Sequence, residues 1–456
     1  MKPRVRPFPR MVLAAAGITI VLAVSPSMTL DLVLVGLFVI AAMKAVRFDI
    51  THPAVWLPPF IYVYHYNVIV LHLTGYEHIE HPLMIVWIGW ICLAVSELMF
   101  LGMCRTKTVR DGGAPPRPLD LTLVTICLGY TVMLLWLLKL CVAYFGSGFS
   151  NKIDFYVTGA LPGLDYVPMW LLMFYGFWMV KRQDAGGPFH WPLFTLTGAF
   201  TLFATLALGE RDIFLNFCAV SLFLVYHYYR PGKLLLYGAG VVIVGPMISV
   251  LHNLRNVFSR DMSDFSAFGE QGMMLSFLYG EFIAAGRNID ILLSNQQWWH
   301  YFYGHTVWWV FEHKFFPGVL VEARNSLTWF HQQFLPDWQA MVGGYGFTLA
   351  GDGYINFGLP GVALWYAIMA GIVVWLYNGR TRSGLRLVIY VISAPLFIFA
   401  TRATIFYFPG EAMLILQPLI AAYVVDYLVR LAPHRATGRR GLSYFYIPSS
   451  SRTGKS

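Results

Sequence analysis

Three arginines stand at the ends of apolar stretches, where a charge needs a reason. Arg211 lies in Gly209-Glu210-Arg211-Asp212, Arg255 in His252-Asn253-Leu254-Arg255-Asn256, and Arg402 just before Phe406-Tyr407-Phe408-Pro409-Gly410-Glu411. A guanidinium donates two parallel hydrogen bonds to phosphate oxygens, so three of them held at one depth would form a cationic pocket for a phosphate or diphosphate. The same residues also admit three local solutions: Arg211 with Glu210 or Asp212, Arg402 with Glu411, and Arg255 snorkelling to an interface. A second stretch with chemical potential runs Gly343-Gly344-Tyr345-Gly346-Phe347-Thr348-Leu349-Ala350-Gly351-Asp352-Gly353-Tyr354-Ile355-Asn356-Phe357-Gly358-Leu359-Pro360-Gly361. Asp352 opens an apolar span there, a place where the helix dipole favours a carboxylate, and it reads equally as a helix cap and as a site residue. Asn356 follows on the same helical face, so an Asp–Asn pair could hold an arginine or orient a hydroxyl. Asp352, Glu210 and His331 are the groups able to accept a proton.

The elements that must position these residues are membrane helices. The 456 residues are 57% hydrophobic and only 12% charged, and apolar runs close to the ~20 residues needed to cross a ~30 Å hydrocarbon core recur throughout. Twelve spans are predicted, at about 11–26, 29–45, 53–73, 83–103, 119–144, 164–181, 190–208, 212–229, 234–252, 354–376, 385–401 and 409–430. The fold class is therefore all-α and polytopic. Its parts are a transmembrane bundle of about nine spans over 1–252, a large loop or cap over 253–353, three last spans over 354–430, and a tail over 431–456.

Charge orders these spans. Of the 32 Lys and Arg residues, 23 fall in every second gap: Lys2 to Arg10, Lys44 and Arg47, Arg105 to Arg117, Lys181 and Arg182, Arg230 and Lys233, Arg380 to Arg386, and Arg430 to Lys455. The positive-inside rule places that side, and both termini, in the cytoplasm. The net charge of +9 then reports topology, and nucleic acid is not an expected partner. The first two spans read as a hairpin around Ser25-Pro26-Ser27, because basic residues flank both outer ends; a cleaved signal peptide is the alternative for 1–27. The five cysteines lie in or beside spans without metal-site spacing, so they read as packing residues, with neither a disulfide framework nor a zinc site.

The gap of about a hundred residues from 253 to 353 is far longer than an ordinary connection. Its aromatic residues, among them Trp298, Trp299, Tyr301, Phe302, Tyr303, Trp308, Trp309, Trp329 and Trp338, give it enough apolar surface to pack. Helical pieces are expected around 269–294 and 321–334. The rings serve either as core of a cap or as platforms for the C–H faces of sugars. Arg287 and Arg324, with Trp329, Tyr354 and Asn356, are the candidate glycan contacts, although loop arginines commonly end in ion pairs.

The block from Gly343 to Gly361 resembles the closing signature of Wzy-type O-antigen and oligosaccharide repeat-unit polymerases. In that signature a glycine-rich approach leads to an acidic residue, an aromatic, then Asn-Phe-Gly and a glycine. Asp352, Tyr354, Asn356, Phe357, Gly358 and Gly361 match this order, with Asp352 where the family usually has Glu. Gly209 with Arg211, Arg255 after the ninth span, and the large late loop are similar to family features as well.

The resemblance implies a GT-C-like helical bundle in the bacterial inner membrane. Its activity would be to move a growing glycan from undecaprenyl diphosphate onto a newly delivered lipid-linked repeat unit, at the periplasmic face. Expected partners are undecaprenyl-diphosphate-linked glycans, membrane lipids and a chain-length regulator protein; no cofactor or metal is implied. Arg211, Arg255 and Arg402 would hold the diphosphate, and Asp352, His331 or Glu210 would be the base. The chain has no Asp-x-Asp in an aqueous segment and no carboxylate-bearing first outer loop, only Asp31 being near, which also points to a metal-independent enzyme with a diphosphate-linked donor. Two other readings stand. An O-antigen ligase would use the same donor with a loop histidine such as His305, His313 or His331. A flippase or exporter of lipid-linked oligosaccharide would need paired halves and charges spread through the membrane, where Lys139, Glu97 and Asp31 are the candidates.

Overall fold

A computed structural model describes residues 7–25, 27–105, 117–147, 166–208, 210–229, 283–315, 325–335, 347–405 and 407–431. Among them the chain is helical, without strands. In order the helices are α1 (Pro7–Val24), α2 (Met28–Ala45), α3 (Pro53–Leu73), α4 (Pro82–Met103), α5 (Leu123–Ser147), α6 (Val167–Asp184), α7 (Trp191–Leu208), α8 (Arg211–Tyr229), α9 (Ile283–Ser294), α10 (His305–Phe315), α11 (Ser326–Phe334), α12 (Leu349–Gly379), α13 (Gly384–Ala400) and α14 (Tyr407–Leu431).

Eight of these are long and apolar enough to cross a membrane. Several of the helices begin where the sequence supplies a cap or a proline: Ser27 accepts from Leu30 N, Pro53 and Pro82 start α3 and α4, and Ser383 accepts from Arg386 N at the start of the shorter α13. Proline is tolerated in a first turn because its missing N–H had no helical partner there. Large apolar side chains face outward along the bundle, including Leu13, Val24, Leu37, Leu135, Trp375 and Tyr427, as expected for helices whose solvent is lipid. A helix occupies each expected span except 234–252, which lies outside the described residues with most of the loop and the tail. The α1–α2 hairpin is present: the two helices pack together, and Ser25 and Ser27 are hydrogen-bonded between them. Of the expected loop helices, α9 and α11 cover Ile283–Ser294 and Ser326–Phe334.

The buried apolar residues form two main clusters. One joins α1–α4 to α9, α11 and α12; the other joins α5–α8 to α13. Trp56 of α3 packs against both and donates to Tyr390 Oη of α13 at 3.2 Å. The ends of the helices are also sorted. At one end meet Arg105 N with Asn378, Arg117 with Arg382 and Gly384, Leu119 with Asp184, and Thr122 with Asp426. At the other meet Glu77 with Arg287, Glu80 and His81 with Asp290, and Ile405 with Asp352. The first set is drawn from the basic gaps and the second from the remaining ones, so the alternation read from charge recurs in the contacts.

His52 sits at the basic end as the N-cap of α3, its Nδ1 accepting from Ala54 N at 3.2 Å and its ring edge-on to Tyr377. Burial lowers its pKa from 6.5 to about 4; Asp49 opposes this and Arg380 adds to it. Between those values an unfolded chain binds a proton that the folded one refuses, so stability falls as pH drops through this window. About 2 kcal/mol should be lost between pH 7.5 and 5 from this residue. Thermal unfolding in detergent should show a flatter pH dependence for His52→Gln than for the wild type.

Candidate functional site

The signature block folds as a broken helix. Thr348 Oγ1 accepts from Gly351 N at 2.7 Å and starts a short arm that runs to Asn356. Phe357 (φ −142°, ψ 18°) and Gly358 (φ 65°, ψ −147°) then leave helical geometry, and a long arm continues to Gly379. Gly358 occupies the left-handed half of φ space, which glycine enters without a Cβ penalty. Gly353 and Gly361 meet backbone to backbone: a Cβ on Gly353 would lie 2.6 Å from the Gly361 carbonyl oxygen, and one on Gly361 2.0 Å from that of Gly353. The two arms cross at a distance that only glycine allows.

Breaking a helix leaves carbonyls unpaired, which is costly away from water. Here the cap supplies the donors. Phe302 N reaches Ile355 O at 2.9 Å and Tyr303 N reaches Asn356 O at 3.2 Å. The Asn356 side chain completes the seam, accepting from Gly304 N at 2.9 Å and donating to Thr306 Oγ1 and to Asp352 O, both at 2.7 Å. Asp352 and Asn356 therefore meet at a protein hydroxyl, that of Thr306, which takes the Asn356 amide and lies beside the Asp352 carboxylate.

Asp352 is fully buried. Its Oδ2 accepts from Trp365 Nε1 at 2.9 Å and from Ile405 N at 2.8 Å, with the Ser326 and Thr306 hydroxyls beside the carboxylate. One carboxylate thus ties the short arm, the long arm and the 401–405 turn together next to the start of α11. The helix cap is Thr348, and Asp352 lies one turn inside it. Of the three base candidates, Asp352 has the geometry of an anchor.

Arg402 belongs to the turn that Asp352 holds. Its guanidinium carbon lies 4.8 Å from the centre of the Phe399 ring, a cation–π contact. The Tyr407 side chain lies within electrostatic reach of Glu411, Asp212 and Arg402. α8 also packs against α13, so the start of α8, with its Glu210-Arg211-Asp212, and the Arg402 turn share the Tyr407 neighbourhood. Two of the three arginine-bearing segments therefore converge. The Arg211 side chain, and Arg255 and Arg324 entirely, lie outside the described residues. Glu210 is partly accessible on the convergent side.

The other candidates divide by exposure. His331 is buried on α11 against Phe330, and His305 is exposed at the start of α10; the His313 side chain is outside the described residues. Arg287 faces Glu77 at 3.6 Å, an ion pair between α9 and the α3–α4 connection. Such half-exposed pairs are worth little, so Arg287→Ala should change unfolding stability by less than about 1 kcal/mol in a denaturation series. Trp329, half-buried, packs edge-on against Trp299, Phe302 and Phe334, and buried Tyr354 of α12 packs against Trp299 and Tyr301. Among the described rings of the loop, Trp298, Tyr303 and Trp308 are the most exposed, at 57–73%. Sequence reasoning grouped all of these rings but did not separate inner from outer ones, since tertiary packing decides that.

It also missed Trp365, Thr306, Ser326 and the Ile405 N–H as partners of the signature. The one available signal was Trp365, whose indole N–H inside an apolar span had to find an acceptor. A second missed group lies in the core nearby, where His65 Nε2 and Tyr366 Oη are 3.0 Å apart and both residues are fully buried. The chain matches no family model, no curated protein and no solved structure.

Proposed function

We propose that the protein is a membrane glycosyltransferase that polymerises undecaprenyl-diphosphate-linked oligosaccharide repeat units at the outer face of the bacterial inner membrane, with both termini in the cytoplasm. The observation that carries this reading is the convergence of the Arg402 turn with the start of α8, beside a broken helix built from the signature block. In this reading the acceptor hydroxyl attacks the anomeric carbon of the donor glycan. The bond from that carbon to the carrier diphosphate breaks, and the electron pair leaves with the diphosphate. Arg402 and Arg211 stabilise the charge on the leaving oxygen, acting as preorganised donors. The hydroxyl proton passes to Glu210 or His331. Asp352 acts through the turn it holds, fixing the position of Arg402. Trp298, Tyr303 and Trp308 offer faces on which sugar rings can stack.

The test is an assay of purified protein in micelles with a fluorescent lipid-diphosphate repeat unit. A ladder of products differing by one repeat is the expected result. Product formed only when a lipid A acceptor is added would replace this reading with a ligase. Absence of any new glycosidic bond, with transbilayer movement of the lipid in vesicles, would replace it with a flippase.

A further inference from the structure

Outside this site, an apolar groove of about 430 Å³ runs along the membrane face between α5, α6 and α14. Leu128, Val132, Trp136, Trp170, Ala421 and Val425 form its walls, and Phe174 packs on Gly129 at its floor. On α5 the lining extends from Thr125 to Trp136, a rise of roughly 16 Å. That is about half of a ~30 Å hydrocarbon core, the depth of one leaflet. The surrounding surface of α5 and α14 exposes Leu123, Val124, Leu135, Met413, Ile420 and Val424, so the groove opens onto acyl chains.

One mouth of the groove carries charge. Thr125 Oγ1 donates to Asp426 Oδ1 at 2.9 Å, and Arg430 Nε donates to Asp426 Oδ2 at 2.7 Å. Asp426 is buried and also accepts from Thr122 N and Oγ1. Among the described residues at this mouth, Arg430 and Asp120 form an outward opposite pair, with side chains 48% and 77% exposed and 3.3 Å apart. This mouth belongs to the basic end of the helix bundle.

We infer that the groove is a binding site for a zwitterionic phospholipid of the leaflet on the basic side, with one acyl chain along α5 and α14 and a phosphoethanolamine headgroup across Arg430 and Asp120. The guanidinium takes the phosphate and the carboxylate takes the ammonium, a charge pattern that mirrors the headgroup. An anionic headgroup without an ammonium would set its negative charge against Asp120. A trimethylammonium headgroup would give that carboxylate no hydrogen bond to accept.

The full chain in mild detergent, titrated with phosphatidylethanolamine, phosphatidylcholine and phosphatidylglycerol of matched chains, should retain phosphatidylethanolamine selectively in native mass spectrometry. Ala421→Phe fills the groove from an exposed position and should weaken retention at least tenfold. Asp120→Lys, on the surface, should reverse the preference toward phosphatidylglycerol. Equal retention of all three lipids by the wild type would overturn the proposal. So would unchanged selectivity in Asp120→Lys, a readout that stands even if Ala421→Phe fails to fold.

Discussion

Arg402→Ala should reduce repeat-unit polymerisation at least 100-fold while the protein stays folded. Removing one preorganised donor from a developing oxyanion costs about 2.7–4 kcal/mol in transition-state stabilisation, which is a factor of 10² to 10³ in rate. Arg402 stacks over the Phe399 ring and lies near Tyr407, and thermal unfolding of the variant separates a loss of activity from a loss of fold. Arg402→Lys keeps the charge but loses the planar fork, and intermediate activity is expected. Arg211→Ala should fall in the same range, because its segment shares the Tyr407 neighbourhood. Full ladders from a folded Arg402→Ala protein would remove the diphosphate role from this turn.

The second large effect is structural. Gly361→Ala places a methyl group 2.0 Å from the Gly353 carbonyl oxygen, and backbone has no rotamer with which to yield. The arms must separate, pulling the short arm from the cap seam and disturbing the Asp352 contacts with Trp365 and Ile405. A loss of at least about 3 kcal/mol is expected, at the upper end for overpacking because the clash is with main chain. Gly371→Ala on the same helix is the control: its Cβ would make only ordinary contact, 3.8 Å from Met99 Cε. Gly361→Ala should give a much lower unfolding temperature or no folded protein, and Gly371→Ala close to wild-type behaviour. Equal behaviour of the two would show that the crossing does not hold the site together.

Much of this architecture is legible in the sequence because lipid imposes a simple rule. Apolar runs of membrane length had to be helices, and proline at 53 and 82 with serine at 27 and 383 marked where they start. The site was legible only as an inventory. Asp352 was visible, but its use was not, since the partners that occupy it are 13 and 53 residues away in the chain. The break at Phe357-Gly358 was equally hidden: a glycine in an apolar run signals close packing or a turn alike, and the donors that make a turn affordable come from residues 302–304. Which rings pack inward, as Tyr354 does, and which stay exposed, as Trp298, Tyr303 and Trp308 do, was hidden too, because aromatic type alone does not say which face of a cluster is inside.

The seam between residues 302–306 and the signature block carries a consequence for biogenesis. The donors that complete the main-chain bonding of α12 are synthesised about fifty residues before the carbonyls they serve, and on a different segment. The broken helix Leu349–Gly379 cannot complete its main-chain bonding until residues 302–304 have docked on it. Assembly thus has a compulsory order, and deleting the cap would strand the membrane segment that follows it.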